Sequence, residues 1–166
     1  MTAKAFNVLV LCTGNSARSI LGEALFNHLG EGRIRAFSAG SQPTGKVNPV
    51  ALETLEKHGI PLPEARSKSW HEFVGVDAPK IDFIFTVCAS AAGEACPIWP
   101  GHPTTAHWGI DDPAHVEPME ARRAAFERAY ELLRERVEAF VRLPLETLST
   151  AEIKAAARKI HEEAAS

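Results

Sequence analysis

The chain has 166 residues, a length typical of one domain. Its 18 Lys and Arg against 21 Asp and Glu leave a formal net charge of −3, which argues against a basic nucleic-acid-binding module. Hydrophobic residues make up 45% and charged residues 23%, a composition that excludes intrinsic disorder. No apolar run approaches the roughly 20 residues needed to cross a bilayer. No secretory signal is apparent, and three cysteines are too few for a disulfide framework. We therefore expect a cytoplasmic protein that binds neither nucleic acid nor membrane.

Short apolar runs alternate along the chain with amphipathic segments. The runs are rich in β-formers and predict strands buried on both faces, whereas apolar residues spaced three and four apart predict helices. The predicted strands are 6–11, 33–37, 81–87 and 104–108, and the predicted helices are 18–30, 48–58, 118–141 and one that begins near 149. This alternation predicts an α/β fold, a three-layer sandwich around a four-stranded parallel sheet.

Capping residues mark the ends of the predicted helices. Asn48 before Pro49 predicts a helix start, and Gly59 before Ile60 predicts a Schellman-type exit. We expect Gly30 to act as the C-cap of the first helix. We also expect His28 to be buried in the core, because it shares the apolar face of that helix.

The C-terminal segment is expected to be an extension of the domain. Residues 1–142 would form the domain itself, and 143–166 a helical extension packed on it. Ser149 and Glu152 match a capping box at the start of the last helix. One weak apolar stripe on that helix supports its docking: Ile153, Ala156, Ala157 and Ile160.

The segment between the first strand and the first helix has the composition of an anion-binding loop with a nucleophile. It reads Cys12-Thr-Gly-Asn-Ser-Ala-Arg18-Ser19. Backbone N–H groups at a helix N-terminus can surround a tetrahedral oxyanion, and Arg18 can bind two of its oxygens. In that electropositive setting Cys12 becomes a thiolate nucleophile, and Ser19 can donate a hydrogen bond to it. We expect Gly14 to adopt unusual backbone dihedrals. The expected oxyanion-binding residues are Thr13, Gly14, Asn15, Ser16, Ala17 and Arg18. The alternative is a purely structural cysteine.

Two further cysteines, Cys88 and Cys96, enclose seven mostly small residues after the third predicted strand. Such a segment can coil and uncoil at little cost. One alternative is a helical turn that holds two buried thiols. Another is a zinc site completed by His102, His107 or His115. Seven intervening residues do not match the short Cys-x₂₋₄-Cys spacing of zinc sites, so we expect no metal.

Together these motifs resemble the low-molecular-weight protein tyrosine phosphatases, and resemble even more closely their relatives, the thioredoxin-coupled arsenate reductases. The resemblance covers about residues 5 to 140. Its motifs are the loop from Cys12 to Ser19, Ser38-Ala39-Gly40, Val47-Asn48-Pro49, Cys88 to Pro100, and the run from His107 to Pro113. It implies a low-molecular-weight tyrosine phosphatase-like fold and reduction of arsenate to arsenite, with no cofactor.

The resemblance also implies the roles of the site residues. Cys12 would attack arsenate, with Asp112, the residue before Pro113, as general acid. Cys88 would then attack Cys12 and release arsenite, and Cys96 would attack Cys88. The expected reductant of the resulting disulfide is thioredoxin, with glutaredoxin or another low-molecular-weight thiol second.

Two rival functions remain open from the sequence. One is a tyrosine phosphatase with two incidental cysteines. The other is a non-catalytic sensor that binds arsenite or a metal through its three thiols. Tyrosine phosphatases usually present aromatic residues after Asp-Pro, whereas this chain has Ala114-His115. That difference favours a small inorganic oxyanion such as arsenate or phosphate. An ordinary turn at Asp111-Asp112-Pro113 is the alternative to a general acid.

The chain departs from the family pattern at three places. Ala17 stands where many of these reductases carry another cysteine, and the interval from Cys88 to Cys96 is one residue longer than usual. Some members bind potassium through an Asn, a Glu, a Ser and an Asp. Asn15, Glu23 and Ser38 match the first three, but Lys68 takes the place of the Asp. We therefore predict that potassium does not activate the protein, and that Asn15 and Ser38 support the loop by hydrogen bonds.

Overall fold

The computed structural model describes residues 6–62, 66–74, 77–87, 104–110 and 113–164. Within these ranges the strands are β1 (Phe6–Leu11), β2 (Ile34–Ala39), β3 (Phe83–Thr86) and β4 (Thr104–His107). The α-helices are α1 (Arg18–Gly30), α2 (Pro49–Lys57), α3 (Met119–Val141) and α4 (Thr150–Ala164), and a short 3-10 helix spans Trp70–Phe73. None of these helices is long and apolar enough to cross a membrane.

The four strands form one parallel sheet in the order β2-β1-β3-β4, which confirms the predicted fold class. The chain runs from β1 through α1 to β2, and β3 then pairs with the opposite side of β1. This reversal makes the carboxyl end of β1 a topological switch point, where open α/β sheets bind ligands. The loop that begins at Cys12 leaves the sheet at this point.

Separate apolar clusters bury the two faces of the sheet. Val8 and Val10 face the larger cluster, which includes residues of all four α-helices. Leu9 and Leu11 face a smaller cluster that contains Trp70 of the 3-10 helix. Because alternate side chains of β1 enter different clusters, the strand is apolar along nearly its whole length.

The caps of α2 are those predicted. The Asn48 side chain accepts the N–H of the second helical residue at 2.9 Å. At the other end Gly59 has φ +68°. The N–H of Gly59 donates to Glu56 O at 3.0 Å, and that of Ile60 donates to Leu55 O at 2.9 Å, the two bonds of a Schellman motif.

Two expectations for α1 are wrong. Gly30 is the last helical residue and not the cap, since Glu31 takes the left-handed conformation at φ +45°. Glycine is needed at position 30 because a Cβ there would lie 2.8 Å from Ile34 Cβ. His28 is exposed, whereas Phe26 is buried. The helix is covered by α3 as well as by the sheet, which moves its buried face away from His28.

Three strands differ from their predicted bounds. β4 ends at His107, one residue earlier than predicted. β2 continues through Ser38 to Ala39, because these residues stay in register with Val10 and Leu11 of β1. β3 is shorter than predicted and covers only Phe83–Thr86.

The last helix, α4, begins at the predicted capping box. Ser149 N–H donates to Glu152 Oε1 at 2.8 Å, and Glu152 N–H donates to Ser149 Oγ at 3.2 Å. Ile153 and Ala157 of this helix belong to the larger apolar cluster. The C-terminal segment is therefore continuous with the core that covers the sheet.

Candidate active site

Cys12 lies at the carboxyl end of the sheet, directly after β1, and is 5% exposed. Its N–H donates to Ala39 O, the last residue of β2, at 3.2 Å. The backbone of Cys12 is therefore held by the pairing of β1 with β2, and the loop of residues 13–17 begins from this fixed point.

The loop after Cys12 turns its carbonyl groups outward. The carbonyl oxygens of Thr13, Gly14 and Ser16 accept backbone N–H groups of residues 42, 44 and 48 at distances between 2.8 and 3.0 Å. Within the described part of the chain, the N–H groups of residues 14–17 donate to no backbone carbonyl. Because these carbonyl groups are already bonded to the neighbouring segment, the backbone N–H groups of residues 14–17 are the groups of the loop that could bind an oxyanion.

Asn15 is the residue that gives the loop its shape. It has φ +45° and is 0% exposed. Its Nδ2 donates to Ser19 Oγ at 2.8 Å, and its Oδ1 accepts the N–H of Lys68 at 2.8 Å. The expectation that Gly14 adopts the unusual dihedrals is wrong, because the left-handed residue of the loop is Asn15, and asparagine tolerates that conformation.

Gly40 supports the loop from beneath, a role that the sequence did not reveal. A Cβ at this position would lie 2.4 Å from Thr13 O and 2.8 Å from Cys12 O. Only glycine permits this approach of β2's end to the loop. The available signal was the glycine that directly follows β2, the strand paired with β1.

Arg18 begins α1, whose N-terminus has no side-chain cap. The Nη1 group of Arg18 donates to the carbonyl of Ile110 at 2.9 Å. Ile110 precedes Asp112, the predicted general acid, by two residues, and Asp112 itself lies outside the described residues. The arginine expected to bind the oxyanion is thus tied to the segment that leads to the expected acid.

The four positions compared with a potassium site come together behind the loop. Ser38 Oγ donates to Glu23 Oε1 at 2.6 Å, and Lys68 Nζ lies 3.7 Å from the same oxygen. Lys68 Nζ also donates to Arg66 O at 3.0 Å. Burial lowers the pKa of Lys68, and the nearby Glu23 carboxylate opposes that effect. The lysine ammonium therefore supplies a positive charge between Glu23 and the backbone.

The residues that precede the expected Cys88 and Asp112 segments are linked to β1 by backbone hydrogen bonds. Val87 is bonded to β1 directly, and Ile110 is bonded to Val87. Val87 precedes Cys88, and its N–H donates to Leu11 O at 2.9 Å. Ile110 N–H in turn donates to Val87 O at 3.0 Å. Leu11 is also the residue before Cys12, so a backbone hydrogen bond joins the residues that precede Cys12 and Cys88. Cys88 and Cys96 themselves lie outside the described residues.

A cleft of about 240 Å³ lies beside Pro113. Its described lining contains no aromatic side chain and consists of Ile110, Pro113, Val116, Ala125, Arg128, Ala129 and Leu132. This surface gives no platform for an aryl ring next to the expected acid. In the described ranges no three His, Cys, Asp or Glu side chains are grouped so that they could hold a metal ion.

The sequence matches known proteins over most of its length. The family described as low molecular weight phosphotyrosine protein phosphatase matches residues 7–158. An arsenate reductase of Shouchella clausii is 34% identical over 134 residues, which are 80% of this chain and 93% of that protein. An arsenate reductase of Brevibacillus brevis is 38% identical over 117 residues, 70% of this chain and 83% of the relative.

Solved structures agree with the family. The arsenate reductase of Archaeoglobus fulgidus superposes with a TM-score of 0.62 at 29% identity, covering 81% of this chain and 98% of that one. A low molecular weight phosphotyrosine phosphatase of Vibrio cholerae shares the fold, with a TM-score of 0.63 at 21% identity, covering 82% of this chain and 94% of that one. The match to the family profile and the shared fold show that the chain belongs to the low molecular weight phosphotyrosine protein phosphatase family.

Proposed function

We propose that this protein is an arsenate reductase that binds arsenate in the loop from Cys12 to Arg18 and reduces it through a three-thiol relay. The observation that carries the proposal is the orientation of this loop. Three of its carbonyl groups are bonded to backbone N–H groups of residues 42, 44 and 48, the N–H groups of residues 14–17 have no backbone acceptor among the described residues, and Cys12 is buried at its base. The curated relatives that match the chain at 34% and 38% identity are arsenate reductases.

The first step is nucleophilic attack by the Cys12 thiolate on arsenic. An As–S bond forms and an oxygen leaves as water, with Asp112 as the proton donor. Arg18 and the loop N–H groups bind the remaining oxygens, whose negative charge they stabilise.

The second step reduces arsenic. The Cys88 thiolate attacks Cys12 Sγ, a disulfide forms, and the electron pair of the As–S bond passes to arsenic, which leaves as arsenite. The hydrogen bond from Val87 to Leu11 supports this step, because it joins the residues that precede the two cysteines. Cys96 then attacks Cys88 and frees Cys12, which leaves a disulfide between Cys88 and Cys96.

The third step restores the dithiol. An external dithiol of the thioredoxin class supplies two electrons per arsenate, with glutaredoxin or another small thiol as the second choice. The relay needs thiols that stay reduced between turnovers, so we infer that the protein works in the cytoplasm.

The test is arsenate-dependent NADPH oxidation in the presence of thioredoxin and thioredoxin reductase. We expect sustained turnover by the wild type and none by Cys96→Ser, because that variant cannot regenerate Cys12. Sustained turnover by Cys96→Ser would contradict the relay. Hydrolysis of an aryl phosphate without thiols, combined with no arsenate turnover under any reductant, would identify a phosphatase instead. Stoichiometric arsenite binding with neither activity would identify a thiol sensor.

A further inference from the structure

A buried arginine lies behind the segment that leads to the expected acid. Arg136 of α3 is 2% exposed. Its Nη1 donates to the carbonyl of Trp108 at 3.1 Å and to that of Gly109 at 3.2 Å. These carbonyls belong to the residues between the end of β4 and Ile110, whose own carbonyl accepts from Arg18.

Burying the Arg136 guanidinium costs desolvation free energy, and within the described residues its side-chain hydrogen bonds are to two carbonyl groups. Within the described residues it pairs with no carboxylate, and its Nε is buried with no hydrogen-bond partner. Burial lowers its pKa, and the neighbouring Glu135 only partly opposes that effect. A buried cation without a counter-ion destabilises the folded state, so an apolar residue would pack here at lower cost. The buried guanidinium therefore points to a role in orienting the backbone that it contacts.

The same segment is held by the C-terminal helix. Trp108 is 0% exposed, and its Nε1 donates to Ala157 O of α4 at 2.9 Å. Its N–H donates to Thr86 O at 2.7 Å. The three consecutive residues from Trp108 to Ile110 are thus bonded to β3, α3, α4 and the arginine of the loop.

We propose that Arg136 is a positioning residue for the reaction, holding the segment from Trp108 to Ile110 so that Arg18 is directed at the oxyanion and the chain is held where it leads to the expected acid, Asp112. The inference rests on the proposed function, because it assigns Arg18 and Asp112 the roles given there. Arg136 does not touch the substrate. It sets the place of the Ile110 carbonyl, which orients Arg18, and it fixes the backbone two residues before the acid. Trp108 makes α4 part of the same support.

The matched variants are Arg136→Met, Arg136→Lys and Arg134→Met. Methionine keeps an unbranched stem about as long as that of arginine up to Nε but removes the donors of the guanidinium, and lysine keeps one cationic donor. Arg134 lies on the same helix and bonds to Glu138 at the surface, so its variant controls for the loss of an arginine from α3.

The first measurement is the affinity for inorganic phosphate by calorimetry, at a temperature where circular dichroism shows every variant to be folded. We expect Arg136→Met to bind phosphate about 10-fold more weakly, since a misdirected Arg18 loses a charge-assisted contact. Arg136→Lys should recover part of that loss, and Arg134→Met should match the wild type.

The second measurement compares hydrolysis of phenyl phosphate and 4-nitrophenyl phosphate, which tests attack by Cys12 and proton donation without the relay. Phenolate is the poorer leaving group and depends more on the acid. We expect kcat of Arg136→Met to fall about 10²-fold on phenyl phosphate and much less on 4-nitrophenyl phosphate. Merely structural damage would lower both by the same factor.

The proposal would be overturned if Arg136→Met had the same phosphate affinity and the same leaving-group dependence as Arg134→Met. If Arg136→Met does not fold, Arg136→Lys decides, because it keeps a single cationic donor and should still bind phosphate more weakly than Arg134→Met. If the wild type does not hydrolyse aryl phosphates, the phosphate affinities decide alone. A wild type that binds phosphate but never turns over arsenate would contradict the proposed function and leave this inference standing. A wild type that does not bind phosphate would overturn both.

Discussion

Lys68 Nζ lies 3.7 Å from Glu23 Oε1, behind the loop that follows Cys12. Both side chains are largely buried, and the backbone N–H of Lys68 also donates to Asn15 of the loop. The chain therefore carries a cation of its own among the residues that support the loop after Cys12. This arrangement fits the interpretation that lysine replaces a bound monovalent ion at this place.

Potassium should leave the activity and the melting temperature of the wild type unchanged when it replaces sodium at constant ionic strength. The physical reason is that the Lys68 ammonium already neutralises Glu23. In Lys68→Asp two carboxylates face each other, so we expect a lower melting temperature in sodium and a partial recovery in potassium. Thermal unfolding in matched chloride salts measures both effects. A clear rise in wild-type activity with potassium would contradict the prediction.

Gly40→Ala should abolish tight phosphate binding, because the new Cβ would lie 2.4 Å from Thr13 O and push the loop away. Gly32→Ala is the matched control. Gly32 lies near the opposite end of β2, has φ +84°, and an added Cβ there would meet nothing within 4 Å, so alanine at this position is strained without any new contact. We expect Gly32→Ala to lose about 1 kcal/mol of stability and to keep its phosphate affinity. Calorimetric titration with phosphate distinguishes the two, and equal affinities would refute the supporting role of Gly40.

Asn15 combines a left-handed backbone with two side-chain bonds, and two variants separate these contributions. Asn15→Ala loses both bonds and forces alanine into φ +45°, so we expect a loss of about 3 kcal/mol in the free energy of unfolding. Asn15→Gly relieves the backbone strain and should recover about 1 kcal/mol of that loss. Urea unfolding at neutral pH gives both values. If glycine were as stable as asparagine, the side-chain bonds to Ser19 and Lys68 would contribute nothing.

His161 should make the protein less stable in mild acid. Burial, Arg136 and His107 lower its pKa from the model-peptide value of 6.5, and Glu162 only partly opposes this. As the pH falls below 6.5, the unfolded chain binds a proton at His161 before the folded chain does. Stability is therefore lost progressively as the pH falls toward the lower folded-state pKa.

We expect His161→Gln to flatten this part of the stability profile between about pH 7 and pH 5. His28→Gln is the control, since His28 is exposed on α1. Chemical denaturation at several pH values measures the slope. A wild-type slope shared by His161→Gln would mean that other groups cause the acid sensitivity.

Local features of the chain were predictable where they depend on neighbours in sequence. The Schellman exit at Gly59 and the capping box at Ser149 use hydrogen bonds within a few residues, so composition alone indicates them. The loop from Cys12 to Arg18 was recognisable for the same reason, because a strand, a turn and a helix start follow each other directly. The resemblance to the low-molecular-weight phosphatase family, which rests on such motifs, is confirmed.

Features that join distant parts of the chain were not predictable. The buried side of α1 includes Phe26 and excludes His28 because α3 covers the helix, and periodicity cannot show which element covers which face. The left-handed residue of the loop is Asn15 and not Gly14, since the hydrogen bond between the Asn15 side chain and the Lys68 N–H stabilises that conformation. The roles of Cys88, Cys96 and Asp112 stay predictions, because these residues lie outside the described ranges.

The sequence by itself determined the order of strands and helices along the chain and the loop that holds Cys12 and Arg18, because burial patterns and short motifs act over a few residues. Only the tertiary structure decided what supports them. Gly40 reaches the loop through the parallel pairing of β1 and β2, and Arg136 reaches Trp108 across 28 positions of the chain. Such contacts form only when helices and strands pack together, and no pattern in the sequence indicates which distant residues will meet.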